Sequence, residues 1–478
     1  MPELFNLASY FVDRHEAEGR GGWTAIVSEG RRYTYAEIAA MVNRAGNALG
    51  RAGVQPGDRV LIAVADGAEF VAAYFGAIKI GAVAVPTSTA LRRADYAYLR
   101  EESQARLVVG DEGIPGLESC GTELECAPTS ADDPAFWLWT SGSTGSPKAA
   151  VHRQRDWLCC CEGYARGVLD VRAGDVTFSS SKLFHAYGLG NGLMFPFYAG
   201  ARTVLYAGKP QARTILEQAS ESRATLFFSV PTHYAAMLRE TDAGNPYDLS
   251  SVRLAVSAAE PLPAEIARRW RDRFGFEVLD GIGSTEMLHI YISNRPGCVR
   301  RGSSGVPVEG YKIRITDEKG RDLQAGEVGD LWVHGGSTAA HYWNRPELTA
   351  ERMRESWFFS GDKYRVDADG YYWYAGRSDD MFRVSGEWVS PIEVEAALIA
   401  HAAVLESAVV AHRDDDGLLK PRAFVTLKQP ERACEAMANE LRQFARQHLA
   451  GYKCPRRIEF LEELPKTATG KLQRYKLR

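Results

Sequence analysis

The sequence predicts an α/β protein with a large N-terminal domain of helix-covered sheets. A small β-barrel-like lobe ends that domain, and a small mobile α+β domain follows. Three observations predict this. Short apolar strand patterns alternate with helical patterns up to about Gly302, as in mostly parallel sheets covered on both faces. Beyond Gly302, β patterns separated by Gly-rich turns dominate, which reads as an antiparallel or barrel-like lobe. After the short polar stretch Gly376-Arg377-Ser378-Asp379-Asp380, helix and strand patterns return. A chain of 478 residues exceeds one core, since domains hold roughly 100–200 residues. The expected division is 1–378 and 379–478.

The elements follow in order. Thr34-Tyr35-Ala36-Glu37 is a capping box, and the apolar helical pattern behind it runs to about Leu49. Gly53 and Pro56-Gly57 end it. Arg59–Ala65 reads as a buried strand, Glu69–Ile80 as a helix, and Val83–Pro86 and Arg106–Val109 as further strands. The pattern recurs at Thr203–Tyr206, Thr225–Val230, Arg253–Ser257 and Glu277–Leu279. Tyr311–Thr316 and Gly329–His334 read as strands of the lobe. The last unit has helices at Pro391–Ala400 and Arg432–Leu449, with strands at Val404–Ala411 and Arg422–Leu427.

Composition narrows the function. Hydrophobic residues are 45% and charged residues 25%, as in a soluble globular protein. A net charge of -4 gives no reason to expect a nucleic-acid partner. No apolar run approaches the ~20 residues that cross a bilayer, so no membrane span is expected. The start lacks a basic region followed by an apolar stretch, so no signal peptide is read. The eight cysteines lack zinc spacing and read as reduced thiols of a cytoplasmic protein. The oligomeric state stays open between monomer and homodimer.

Thr140-Ser141-Gly142-Ser143-Thr144-Gly145-Ser146-Pro147-Lys148 is the most informative stretch. Glycines let backbone N–H groups approach a phosphate closely, the hydroxyls add donors, and Lys148 adds positive charge. A Walker A loop is excluded, because Pro147 precedes the Lys and Ala149 follows it. Other stretches accompany it: Ser257-Ala258-Ala259-Glu260, Asp280-Gly281-Ile282-Gly283-Ser284-Thr285-Glu286, Ser360-Gly361-Asp362, Gly376-Arg377-Ser378-Asp379, Arg383-Val384-Ser385-Gly386, and Pro465-Lys466-Thr467-Ala468-Thr469-Gly470-Lys471. Together, and in this order, they resemble the adenylate-forming superfamily of acyl- and aryl-CoA synthetases, peptide-synthetase adenylation domains and luciferases.

The resemblance implies ATP, Mg²⁺ and coenzyme A. Residues 140–148 would hold the triphosphate. Glu286 would be the hard-oxygen ligand that Mg²⁺ needs, with Thr285 on the α-phosphate. Ser257, Ala258, Ala259, Glu260, Asp280, Gly281, Ile282 and Gly283 would line the nucleotide pocket. Ile282 stands where many relatives carry an aromatic residue. Asp362 would accept the ribose hydroxyl protons, aided by Arg377. Asp379 would be the hinge, and Lys471 the catalytic cation of adenylation. Gly386 would leave room for the pantetheine arm.

The strongest resemblance within that superfamily is to benzoate-CoA ligases, carried by LFHAYGLGNG and DGIGSTEMLHIYISN among other stretches. It implies a small, aromatic carboxylic acid held by His185, Ala186, Tyr187, Gly188, Gly281 and His289. The implied reaction is formation of an acyl-adenylate and then a CoA thioester. Two alternatives are a stand-alone adenylation enzyme that loads the pantetheine of a carrier protein, and an inactive nucleotide- or acyl-binding regulator.

Overall fold

In the computed structural model, the helix Tyr35–Arg51 opens on the expected capping box: the Thr34 hydroxyl accepts from the Glu37 N–H, and the Glu37 carboxylate accepts from the Thr34 N–H. Ile38, Val42, Ala45 and Leu49 lie on its buried face. The structure describes residues 4–141, 147–242, 244–378, 380–384, 387–414, 418–466 and 472–478. Two compact units are distinguished. One runs to Ile313 and resumes over Val333–Phe359; the other comprises Arg314–Trp332 and Ser360–Arg478. Most of the small β lobe therefore groups with the C-terminal residues. The last stretch of the second unit thus begins at Ser360, ahead of the domain boundary expected at 378/379.

The first unit holds two sheets. The nine-stranded sheet has the order Val306–Pro307, Ile290–Ser293, Val278–Gly283, Leu254–Ser257, Leu226–Ser229, Val176–Ser179, Arg202–Leu205, Thr24–Ser28, Arg31–Thr34. Its six central strands are parallel, and both edges are antiparallel. The carboxyl ends of the parallel strands thus bring Ser229, Ser257 and Gly283 to one end of the sheet, where α/β proteins gather ligands. Helices cover the interior side chains: Phe178, Phe227, Tyr234 and Trp270 share one core cluster. Each such buried side chain contributes about 1.5–3 kcal/mol relative to exposure.

The six-stranded sheet has the order His341–Tyr342, Pro147–Arg153, Pro134–Ser141, Val83–Pro86, Arg59–Ile62, Leu107–Val109. Four strands are parallel. Pro134–Ser141 and Pro147–Arg153 form an antiparallel hairpin, with Thr140 opposite Lys148 and Ser141 opposite Pro147. The Gly/Ser segment is thus the hairpin connection. In the second unit, Val404–Arg413, Leu419–Leu427 and Arg457–Phe460 form a three-stranded sheet. The helices Pro391–Ile399 and Glu435–His448 pack on it through Val394, Leu398 and Leu441. Among the described residues no helix is long and apolar enough to cross a membrane.

Candidate functional site

The hairpin puts Lys148 at the start of its second strand. Its Nζ lies 3.8 Å from Glu286 Oε1 and 4.1 Å from the centre of the Tyr342 ring. The Tyr342 hydroxyl donates to the same Glu286 oxygen at 2.6 Å. Burial, then the adjacent carboxylate, raises the Tyr342 pKa well above the usual phenol range, so the hydroxyl keeps its proton and donates. Gly142, Ser143, Thr144 and Gly145 lie outside the described residues, and Ser141 is placed only by its strand pairing.

Glu286 sits in the tight turn Thr285–Met287, directly after the strand Val278–Gly283. Four contacts fix that turn. Ser284 Oγ accepts from the Met287 N–H at 3.3 Å, and the Ala339 N–H donates to the Glu286 carbonyl at 2.7 Å. His152 Nε2 meets the Thr285 carbonyl at 2.9 Å. The His289 N–H reaches back to the Met287 carbonyl at 2.9 Å across Leu288, whose φ of +64° and ψ of -54° make a strained three-residue turn. This reversal lets Glu286 and His289 serve different clusters.

At the strand ends, Ala259 has φ +74°, unusual for a residue with a Cβ, and Glu260 accepts from the Thr232 hydroxyl at 3.0 Å. Ala258 is buried. Ser257 and Asp280 pair in register on neighbouring parallel strands. Ser257 Oγ and Asp280 Oδ1 are buried without a hydrogen-bond partner among the described residues. Burial raises the Asp280 pKa to about 8, opposed by the Leu262 N–H at 3.3 Å. Gly281 and Ile282 pair with Ser293 and Ile292 across an antiparallel edge, and Ile282 is half-buried.

A second cluster is aromatic. The His289 ring lies 5.4 Å from Tyr187 at 30°, 5.3 Å from Tyr164 and 4.5 Å from Phe195. Desolvation lowers the His289 pKa to about 3, so the ring is neutral, and its Nε2 meets Asn191 Oδ1 at 3.1 Å. The Tyr187 hydroxyl is tied to the carbonyls of Ser229 and Val256, each at 3.2 Å. The wide helical turn Gly190–Met194 supplies Asn191. A Cβ on Gly190 would stand 2.5 Å from His289 Cδ2, and one on Gly188 2.1 Å from the Lys182 carbonyl, so both close approaches need glycine. Ala186 is buried. His185 lies open on one side against Phe184, ring centres 4.3 Å apart, yet enough protein surrounds it that desolvation lowers its pKa to about 4.

In the second unit, Asp362 lies within the strand Trp357–Val366, opposite Arg377 of Tyr372–Arg377. Arg377 donates to Asp362 Oδ1 at 3.1 Å. Asp379, Gly386 and Lys471 lie outside the described residues. Their flanks are held. Lys466 pairs with Leu472 across the segment that contains Lys471, and Arg474 reaches Glu395 at 2.7 Å and Asp380 at 3.6 Å. Arg383 bonds Glu318 at 2.9 Å and lies over Trp388.

Among the described residues no group of three or more His, Cys, Asp or Glu side chains is arranged to hold a metal. One buried carboxylate, Glu286, fits a cation that takes most of its oxygens from phosphates and water, as Mg²⁺ does. A recess of about 480 Å³ beside Arg59, Trp137, Val151 and Trp343 contains none of the site residues named above. Sequence reasoning missed Tyr342, Asn191 and His152. Between Arg153 and Arg155, which both face Asp132, Gln154 is buried and accepts from the Leu7 N–H at 2.7 Å.

Comparisons with known proteins bear on this geometry. The family model described as AMP-binding enzyme matches residues 13–343, and that described as AMP-binding enzyme C-terminal domain matches residues 393–471. The chain is 47% identical to a benzoate–CoA ligase of Thauera aromatica over 509 aligned positions, covering 100% of this chain and 96% of that one. A solved anthranilate CoA ligase in complex with anthranoyl-AMP superposes with a TM-score of 0.94 at 39% identity, covering 100% and 97%. A solved benzoate CoA ligase of Burkholderia xenovorans gives 0.91 at 42%, covering 99% and 100%.

Proposed function

The chain belongs to the AMP-binding enzyme family, and from that premise we propose a reading of its site as that of an ATP-dependent aryl–CoA ligase whose acid is benzoate or a ring-substituted benzoate. The acid's carboxylate oxygen attacks the α-phosphorus of ATP. The bond to the β-phosphate oxygen breaks, leaving acyl-adenylate and pyrophosphate. The CoA thiol then attacks the acyl carbon; AMP leaves, and the thiol proton passes to solvent. Mg²⁺, when bound, neutralises phosphate charge.

The single observation that carries the reading is Lys148, Glu286 and Tyr342 converging beside the phosphate hairpin. Lys148 supplies positive charge to the phosphates, the Glu286 carboxylate holds Mg²⁺, and Tyr342 orients that carboxylate. Thr285 donates to the α-phosphate. Thr140, Ser141, Gly142, Ser143, Thr144 and Gly145 wrap the triphosphate. Ala258, Ala259, Glu260 and residues 280–283 take the base, while Asp362 with Arg377 takes the ribose. The acid's ring lies against Tyr187 and the neutral His289. Residues 379–478 form the lid, turning about Asp379. The lid first presents Lys471 to the α-phosphate and then Gly386 to the pantetheine arm. Eight free thiols support a cytoplasmic location.

A pyrophosphate-release screen with benzoate, hydroxybenzoates, aminobenzoates, phenylacetate and short fatty acids tests the acid. Turnover confined to fatty acids overturns the aryl assignment. Lys471→Ala should stop pyrophosphate exchange and spare thioester formation from supplied benzoyl-adenylate; equal loss of both overturns that role. Offering CoA beside a holo-carrier protein distinguishes the acceptor.

A further inference from the structure

His152 and Asp156 are fully buried, and neither belongs to the roles assigned above. His152 lies on the strand Pro147–Arg153, which begins with the residues around Lys148. Its Nε2 is 2.9 Å from the Thr285 carbonyl, and its Nδ1 is 3.2 Å from Asp156 Oδ2. A carbonyl can only accept, so Nε2 carries a proton and donates it to Thr285, while Nδ1 and Asp156 Oδ2 share one hydrogen bond. Asp156 is itself anchored, accepting from the Arg153 N–H at 2.9 Å. The imidazole also stacks on Phe136 of the neighbouring strand, ring centres 5.3 Å apart at 15°. A buried polar pair is best attested as a device that fixes one arrangement over others. Here the arrangement fixed is the peptide that joins Thr285 to Glu286.

We propose that His152, held by Asp156, is a positioning residue for the adenylation half-reaction. It clamps the Thr285 carbonyl, and so sets the Thr285 hydroxyl and the Glu286 carboxylate relative to Lys148 on the same strand. The inference rests on the roles proposed for Thr285 and Glu286. The strand then grips the turn at two points, Lys148 on Glu286 and His152 on Thr285. Once pyrophosphate has left, thioester formation no longer needs that grip, so the two half-reactions respond differently.

The test uses full-length protein, benzoate, MgATP, CoA and synthetic benzoyl-adenylate. His152→Phe keeps the stack on Phe136 and removes both ring nitrogens. It should lower kcat/KM for MgATP in pyrophosphate exchange about 10- to 100-fold, while thioester formation from benzoyl-adenylate stays within about twofold. His152→Gln offers one amide N–H to the Thr285 carbonyl and should recover most of the loss. An equal fall in both half-reactions, or no fall in either, overturns the proposal. If His152→Phe does not fold, Asp156→Asn serves instead. It keeps the shape and a hydrogen-bonding group opposite Nδ1 and removes the carboxylate, and it should slow exchange alone by about three- to tenfold; equal effects again overturn the idea. Glu286→Gln separates the two levels of argument. If it leaves exchange intact, the reading of the turn fails. If it abolishes exchange while His152→Phe does not, only the clamp fails.

Discussion

Glu286 and His289 lie on one short turn but serve clusters of opposite chemistry. Around Glu286, a carboxylate, an ammonium group at 3.8 Å and a phenol at 2.6 Å meet beside the hairpin strand Pro147–Arg153, proposed above to serve the phosphates. Around His289, four rings meet, and burial keeps the imidazole neutral. The charged cluster works through the sign and direction of a few groups, so a change of one atom at constant shape should disable it. The aromatic recess works through fit, so a change of shape at constant charge should harm it most. The strained turn at Leu288 reverses the chain between the two, so that Glu286 and His289 face different clusters.

The sharpest break is Glu286→Gln, which keeps shape and removes charge. It should lower pyrophosphate exchange by roughly 1,000-fold, since a lost metal ligand is worth several kcal/mol of transition-state stabilisation. Thermal melting should stay near wild type. Exchange within tenfold of wild type would mean that the charge cluster is not the phosphate site. Next comes Tyr342→Phe, which keeps the ring under Lys148 and removes only the hydroxyl on Glu286. A hydrogen bond to a charged group predicts a rise in KM for MgATP of about 10- to 100-fold, with KM for the acid unchanged. A rise in KM for the acid instead would join the two regions that the comparison separates.

The legibility of the two regions in the sequence differs for the same reason that their chemistry does. The phosphate hairpin, the Thr285-Glu286 turn and the Asp362–Arg377 pair are short runs of unusual composition, and local spacing reveals them. Even so, the pattern did not show that residues 140–148 join two antiparallel strands, nor that Asp362 lies inside a strand; both follow from pairing with a partner strand. Tyr342, Asn191 and His152 were not legible, because their partners stand 56, 98 and 133 residues away in the chain. An ordinary Tyr, Asn or His carries no local signal of such a contact. The strands and helices read from the sequence lie within a few residues of those observed, because hydrophobic period and capping act locally, but the helices Arg93–Ser103, Ala212–Glu221, Pro231–Glu240 and Ala264–Phe274 were not singled out. The sheet order was not legible, since it depends on which strands meet.

Shape at constant charge is tested by Gly190→Ala. The added methyl would stand 2.5 Å from His289 Cδ2, so the ring or the wide turn must shift. Overpacking of this kind costs about 1–3 kcal/mol. The expected result is a rise in KM for the acid of about tenfold, with KM for MgATP unchanged. A larger ring-substituted acid should suffer more than benzoate. Equal effects on both substrates would show that the recess and the charge cluster are not independent.

The last expected effect is read on stability and not on catalysis, and concerns Asp280, on the strand that leads into both regions. Burial raises its pKa from 3.8 to about 8. The folded protein therefore keeps this proton over a range in which the unfolded chain has released it, and stability falls as pH rises through that range. Below about pH 4 both states are protonated, and the contribution of Asp280 is fully present. It is lost progressively up to about pH 8, and beyond that the loss is complete. Asp280→Asn cannot ionise, so the gap in denaturation midpoint between variant and parent should shift steadily in favour of the variant from pH 4 to 8 and then level off. A gap independent of pH would mean that Asp280 carries its charge in the folded protein. The interior beside the aromatic recess would then be wet enough to solvate a carboxylate, and the contrast with Glu286, which has Lys148 and a phenol hydroxyl to face, would disappear.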